Sequence, residues 1–244
     1  MPVPWLDGDP HAPFPLAASA LRDPDGLLAA GGDLSPTRLL NAYRNGIFPW
    51  FSEGQPILWW CPDPRWVFRT DALHLSRRFR RTLRLSPWTV RADTVFAEVI
   101  AACAHSPRDG QRGTWITAAM QDAYCELHRL GHAHSIEVFD GTQLVGGLYG
   151  VSIGRMFFGE SMFSGKSGGS KCALAALARQ LGQWGWPLID AQVDNPHLCR
   201  LGAEFWPRDA FLSSVAELTT IPEPEQSWSG RFGTIEAGEL AGTP

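Results

Sequence analysis

Two segments in the second half of the chain carry acidic and amide groups on otherwise apolar strands. They are Met156-Phe157-Phe158-Gly159-Glu160-Ser161-Met162-Phe163-Ser164 and Leu188-Ile189-Asp190-Ala191-Gln192-Val193. Alternate residues of a strand share a face, which predicts that Asp190 and Gln192 point the same way, about 7 Å apart. A carboxylate inside a Leu-Ile-Val run costs free energy unless it is paired or does chemistry. Glu160 and Asp190 thus have two readings. One is a structural ion pair or strand-end cap; the other is a carboxylate site at one end of a sheet.

The remaining reactive residues carry less. His128, His132 and His134 lie near Glu137. His128 sits in a helix that Gly131 ends, while His134 opens a strand, so capping and core hydrogen bonds are preferred to a metal. Ser161, Ser164 and Ser167 lack the elbow of a serine hydrolase. Cys172 starts a helix, where a thiolate is favoured, although its plainer reading is a small helix residue. The Arg179-to-Gly185 run faintly resembles a coenzyme phosphate loop. Its glycines follow a helix instead of preceding one, which weighs against a coenzyme A acyltransferase.

These groups need elements to position them. Ser35 as N-cap, Pro36 at the first position and Gly46 as terminator predict a helix from Thr37 to Asn45. Residues 56–60 read as a short strand ended by Pro62 and Pro64. Arg77, Arg80, Arg81 and Arg84 fall at i, i+3, i+4 and i+7, one stripe of a helix, with no acid nearby except Asp71. Like charges at that spacing repel, which a polyanion would relieve; a solvated face is the alternative. Asp93 is expected to cap a helix reaching Ala104, and Thr117 another over 118–130. Ser135–Phe139, an Asp140-Gly141 turn and Gln143–Val151 form a hairpin signal. Gly154-Arg155 turns the chain into a third strand from Met156. Ser170 is expected to cap a helix carrying Leu174, Leu177 and Leu181 on one face, ending at Gly182 before the Asp190 strand. The plan is α+β: a mixed sheet with flanking helices, most like the acetyltransferase type.

Composition bounds the rest. The 244 residues, 44% apolar and 19% charged, suit one large domain or one and a half with a real core. No run of 18 apolar residues predicts a membrane span, and no secretory start is visible. Five scattered cysteines without a C-x-x-C pair fit reduced thiols of a cytosolic protein. A net charge of −4 argues against coating nucleic acid with the whole surface but leaves room for a local basic patch. Division is expected into a small N-terminal domain (1–70), a catalytic domain starting with the basic helix (71–221) and an acidic, Pro/Gly-rich tail (222–244).

In order along the chain, several motifs together resemble the leucyl/phenylalanyl-tRNA–protein transferases. They are Gly26-Leu27-Leu28-Ala29, Gly31-Gly32-Asp33-Leu34-Ser35-Pro36, Gly46-Ile47-Phe48-Pro49-Trp50-Phe51 and Pro62-Asp63-Pro64-Arg65. Gly113-Thr114-Trp115-Ile116-Thr117, Gly146-Gly147-Leu148-Tyr149-Gly150, Gly159-Glu160-Ser161-Met162-Phe163-Ser164 and Ile189-Asp190-Ala191-Gln192 follow. The resemblance covers all but the first dozen residues and the tail. It implies a cytoplasmic enzyme of the N-degron pathway that moves Leu or Phe from aminoacyl-tRNA to proteins with an N-terminal Lys or Arg. It also implies an acetyltransferase-like domain behind a small N-terminal α/β domain, with no metal or coenzyme. By position, Asp190 and Gln192 resemble the family's catalytic pair and Glu160 its supporting carboxylate. Trp50 and Trp115 resemble the residues holding the terminal adenosine. Leu148, Phe157, Leu174, Leu177, Leu181 and Ile189 resemble the pocket for the transferred side chain. Arg77, Arg81 and Arg84 match the positions that meet tRNA. The chain departs where the family usually has Asn-Ala-Ser-Lys. Gly168-Gly169-Ser170-Lys171 stands there, which predicts a looser loop. Cys199-Arg200 is also atypical. A tRNA-binding protein without transfer is the alternative function of a different class, and the motifs do not rank Leu, Phe and Met as donors.

Overall fold

The computed structural model describes residues 3–106, 114–223 and 226–242. The chain opens with β1 (Trp5–Leu6), β2 (Leu27–Gly31), α1 (Pro36–Arg44), β3 (Phe48–Pro49) and β4 (Leu58–Trp60). These strands form a small sheet in the order β1-β2-β4-β3. Next come β5 (Arg65–Arg69), α2 (Arg77–Leu85), β6 (Trp88–Ala92), α3 (Phe96–His105) and α4 (Ala118–Arg129). The meander of β7 (Ala133–Asp140), β8 (Gln143–Ile153) and β9 (Met156–Ser164) leads through α5 (Gly169–Gln183) to β10 (Leu188–Gln192). The chain finishes with α6 (Pro196–Cys199), β11 (Glu204–Trp206), α7 (Arg208–Leu218), α8 (Trp228–Phe232) and β12 (Ile235–Glu236). The large sheet runs β11-β5-β10-β9-β8-β7-β6-β12. Among the described residues only its β9–β10 pair is parallel, because α5 carries the chain back over the sheet between them. This is the expected α+β plan of a mixed sheet with flanking helices.

Alternation along the central strands feeds two cores. Tyr149, Val151, Met156 and Phe158 pack with α1, α3, α4 and α7, whereas Leu148, Phe157 and Ile189 pack with α5 and α8. The strands are buried on both faces, so they read as continuous apolar runs. No described helix is long and apolar enough to cross a membrane.

Local signals place several elements as expected. The Ser35 hydroxyl caps α1, and the Thr117 hydroxyl caps α4. Two caps differ. Asp93 adopts a left-handed φ of 59° and spends its carboxylate on the N–H of Ser135 and on His134 Nδ1, so α3 starts three residues later. Ser170 lies inside α5, whose N-cap is Gly168 at φ 92°. The Gly168-Gly169 pair makes close packing, not looseness. A Cβ on Gly168 would stand 2.6 Å from the Phe79 ring of α2, and one on Gly169 would stand 2.4 Å from the Val145 carbonyl of β8.

β5, expected within the first 70 residues as part of the N-terminal unit, pairs with β10 and β11 in the large sheet. The segment expected as a tail is folded. β12 pairs with β6, and Trp228, Phe232, Ile235 and Leu240 are buried in the second core. Four apolar anchors outweigh the Pro/Gly-rich composition there, although Pro224, Glu225, Thr243 and Pro244 lie outside the described residues. Gly113 of the Trp115 motif also lies outside them.

Candidate active site

Pairing between β9 and β10 stops at the Phe158–Asp190 register. Beyond it β9 stays with β8 while β10 bulges against β5 between Asp190 and Gln192. The two strands part, and Glu160 and Gln192 stand on either side of the gap. Gln192 takes a left-handed φ of 64°, uncommon for a residue with a side chain and characteristic of functional sites. Its Nε2 donates to Glu160 Oε1 at 2.7 Å.

Asp190 and Gln192 both reach the same groove, as alternation predicts, but the bulge gives them different partners. Asp190 turns toward β5, where Arg65 Nε and Nη2 donate to its two oxygens at 2.8 and 2.6 Å. Gln192 turns toward β9. Asp190 Oδ1 also accepts the backbone N–H of Gln192 at 2.9 Å, which holds the bulge in place. Both members of the ion pair are fully buried. The Arg65 guanidinium lies between the rings of Phe48 and Phe211, 4.7 and 4.6 Å from their centroids. A bidentate pair between two aromatic faces fixes the carboxylate in one orientation.

Glu160 has its own clamp. Tyr43 of α1 donates to Oε1 at 2.6 Å, and Tyr124 of α4 donates to Oε2 at 3.0 Å. The two phenols also touch each other. Burial pushes the Glu160 carboxyl up to about 7, against the hydrogen bonds that favour its ionised form. Burial and the neighbouring Glu160 charge hold both phenols well above the ordinary tyrosine range.

A groove of about 830 Å³ opens at this point. Trp50 and Trp115 line it, with Leu148, Phe157, Leu174, Leu177 and Ile189 as its apolar walls and Glu160, Asp190 and Gln192 at its polar end. Its size and mixed lining suit a small apolar group held beside a few directed polar atoms. Leu181 does not line it. One turn further along α5, it is fully buried in the core behind the wall. Arg77, Arg81 and Arg84 are exposed on α2, outside the groove lining. Arg80 leaves the expected stripe: half-buried, its Nε donates to the Leu75 carbonyl.

Sequence reasoning gave no role to Arg65, Tyr43 or Tyr124. Arg65 had one usable signal, a cation opening the apolar run Trp66-Val67-Phe68, which in a buried strand demands a counter-charge. The tyrosines had none, since a Tyr on an amphipathic helix reads as core. The histidine cluster is structural in its contacts: His134 binds Asp93 and stacks on Trp228 at 4.0 Å, and His128 binds the Ala133 carbonyl. Among the described residues no group of three His, Cys, Asp or Glu is arranged to hold a metal. Burial pushes the Cys172 thiol up to about 12, so the helix start does not make it a thiolate.

Comparison with known proteins gives a consistent result. The family described as leucyl/phenylalanyl-tRNA protein transferase matches residues 67–216, and its N-terminal domain matches residues 32–63. A protein of that name from Xanthomonas campestris pv. campestris (strain 8004) is 68% identical over 237 residues, spanning 97% of this chain and 95% of that one. The protein of that name from Xanthomonas euvesicatoria pv. vesicatoria (strain 85-10) is 71% identical over 232 residues, 95% and 93% of the two chains. One from Xylella fastidiosa (strain 9a5c) is 65% identical over 235 residues, 96% and 97%.

Proposed function

The chain belongs to the leucyl/phenylalanyl-tRNA protein transferase family, and from that premise we propose how its groove moves an aminoacyl group from tRNA to the N-terminus of a protein. The protein is an aminoacyltransferase. In our reading the donor carries Leu or Phe, the acceptor begins with Lys or Arg, and the product is a protein marked for degradation. We place the reaction in the cytoplasm, where the five free thiols stay reduced.

One observation carries this reading: an apolar slot ends at a fixed amide–carboxylate pair. Walls of Leu, Ile and Phe accept a leucyl or phenylalanyl side chain. They reject polar ones, whose lost hydration nothing would replace. Trp50 and Trp115 offer faces for the terminal adenine, each such stack worth about 1–3 kcal/mol. Arg77, Arg81 and Arg84 meet tRNA phosphates, supplying attraction that the net charge of −4 does not.

The reaction is aminolysis of an ester. The acceptor amine bonds to the carbonyl carbon, the bond to the ribose oxygen breaks, and the ribose oxygen leaves with a proton from the amine. An N-terminal amine has a pKa of about 7.7–8.0, so it must first shed a proton. Gln192 touches the amine in our scheme. Its NH₂ is committed to Glu160, which leaves the amide carbonyl to accept an amine N–H and aim the lone pair at the ester. Asp190 acts as a positioning residue. Its oxygens are taken by Arg65 and the Gln192 N–H, so it sets the bulge and does not receive the proton. Glu160 orients Gln192 by accepting its amide N–H. Since the ester is already activated, positioning supplies most of the acceleration.

Purified protein should transfer labelled leucine from charged tRNA to a peptide beginning with Arg but not to one beginning with Glu. Absence of product while the tRNA stays charged would reject this acceptor class. Parallel assays with tRNAs charged with Leu, Phe and Met rank the donors.

A further inference from the structure

A second cleft of about 300 Å³ adjoins the groove. Trp60 and Trp66 wall it, and Asp25 and Asp194 contribute its carboxylates. Trp50 and Asp194 line both spaces, so the cleft begins where the polar end of the groove stops. Both carboxylates are exposed at its mouth. Among the described residues Asp25 accepts the N–H of Asp63 at 3.3 Å, and Asp194 a weak contact from Cys199 Sγ at 3.7 Å. Among the described residues neither forms an ion pair, while the neighbouring Asp63 lies 3.9 Å from Arg208. On the outer side Trp66 meets the ring of Phe205 at 5.9 Å, and Phe205 is 64% exposed.

We propose that this cleft seats the cationic side chain of the acceptor's first residue, with its guanidinium or ammonium between Asp194 and Asp25 and against the indole faces. The proposal rests on the acceptor class argued above and adds where that class is recognised. Indole faces attract cations, and carboxylates without a cation of their own gain most from an incoming one. The same charges repel phosphate, so the cleft does not extend the tRNA path. The shared wall at Trp50 and Asp194 keeps the acceptor's α-amine beside Gln192 while its side chain turns into the cleft. The following residues leave across Trp66 and Phe205.

The test uses steady-state transfer with the full chain, charged tRNA and two peptides that differ only in the first residue, Arg or its neutral isostere citrulline. The wild type should prefer Arg by about tenfold or more. In the Asp25→Asn, Asp194→Asn double variant, the KM for the Arg peptide should rise about tenfold and the preference should fall toward one. The KM for charged tRNA should not move. Asp194→Lys, a second variant at the same exposed position, should weaken the Arg peptide further and spare the citrulline peptide. Retention of the Arg preference in both variants, or a loss that falls on the tRNA, overturns the cleft assignment alone. A wild type that treats Arg and citrulline alike overturns the acceptor class itself.

Discussion

Glu160 accepts the Gln192 amide most strongly as a carboxylate, and burial pushes its carboxyl up to about 7. Below that pH the carboxyl carries a proton, has less acceptor capacity for its three donors Tyr43, Tyr124 and Gln192, and holds the Gln192 amide more weakly. Transfer should therefore rise as pH passes 7, and deprotonation of the acceptor amine adds a second rise at about 7.7–8.0. Glu160→Gln should remove the first rise and cost about a hundredfold in kcat, in line with a misdirected reacting group. A pH–rate profile of the variant that superimposes on the wild-type curve would discard the idea. Glu160, Asp190 and Gln192 were legible in the sequence because charges and amides inside apolar strands need a reason. Their partners were not. Tyr43 and Arg65 stand 117 and 125 residues away from the carboxylates they bind, and nothing local announces such a pairing.

At the level of elements, β10 shows how far period-two reasoning reaches and where it stops. The strand and its polar tips were predictable, and both tips line one groove, but the bulge that lets Asp190 bond Arg65 of β5 while Gln192 bonds Glu160 of β9 was not. A single residue at positive φ is enough, and Gln192 is not a type that advertises it. Caps and turns with dedicated chemistry (Ser35, Thr117, Gly141) gave element ends correctly, whereas Asp93 spent its side chain across the sheet instead of on α3. For α2 the charge pattern has a direct readout. If Arg77, Arg81 and Arg84 each meet a phosphate, replacing all three by Ala should flatten the plot of log affinity for charged tRNA against log salt by about 2–3 in slope. An unchanged slope would move the tRNA path elsewhere.

Across the whole molecule, buried acids tie stability to pH. Burial pushes Glu137 of β7 up to about 7, even with Ser135 and Thr94 donating to it. The folded state then prefers the protonated form. The stability it contributes is complete below about 4.5 and is lost as pH climbs toward 7, and Glu160 works in the same window. Glu137→Gln should shrink the fall in stability between pH 5 and pH 8 by up to about 3 kcal/mol. Thermal melts at the two pH values measure this, and a variant that keeps the full wild-type fall would exclude Glu137 as its source. The fold class was legible from the order of helices and strands. The docking of residues 226–242 was not, because it depends on an open edge at β6 that only the assembled sheet presents.

Tyr43 lies within the first matched region, and Arg65 lies between the first and the second. The two halves therefore cannot be exchanged between relatives like cassettes. A chimera cut after residue 66 keeps both clamps only if its borrowed front half presents an equivalent phenol and guanidinium at the same reach. A graft without the guanidinium would bury Asp190 with no counter-charge and show misfolding before lost transfer, whereas one without the phenol would leave Glu160 to Tyr124 and Gln192 alone.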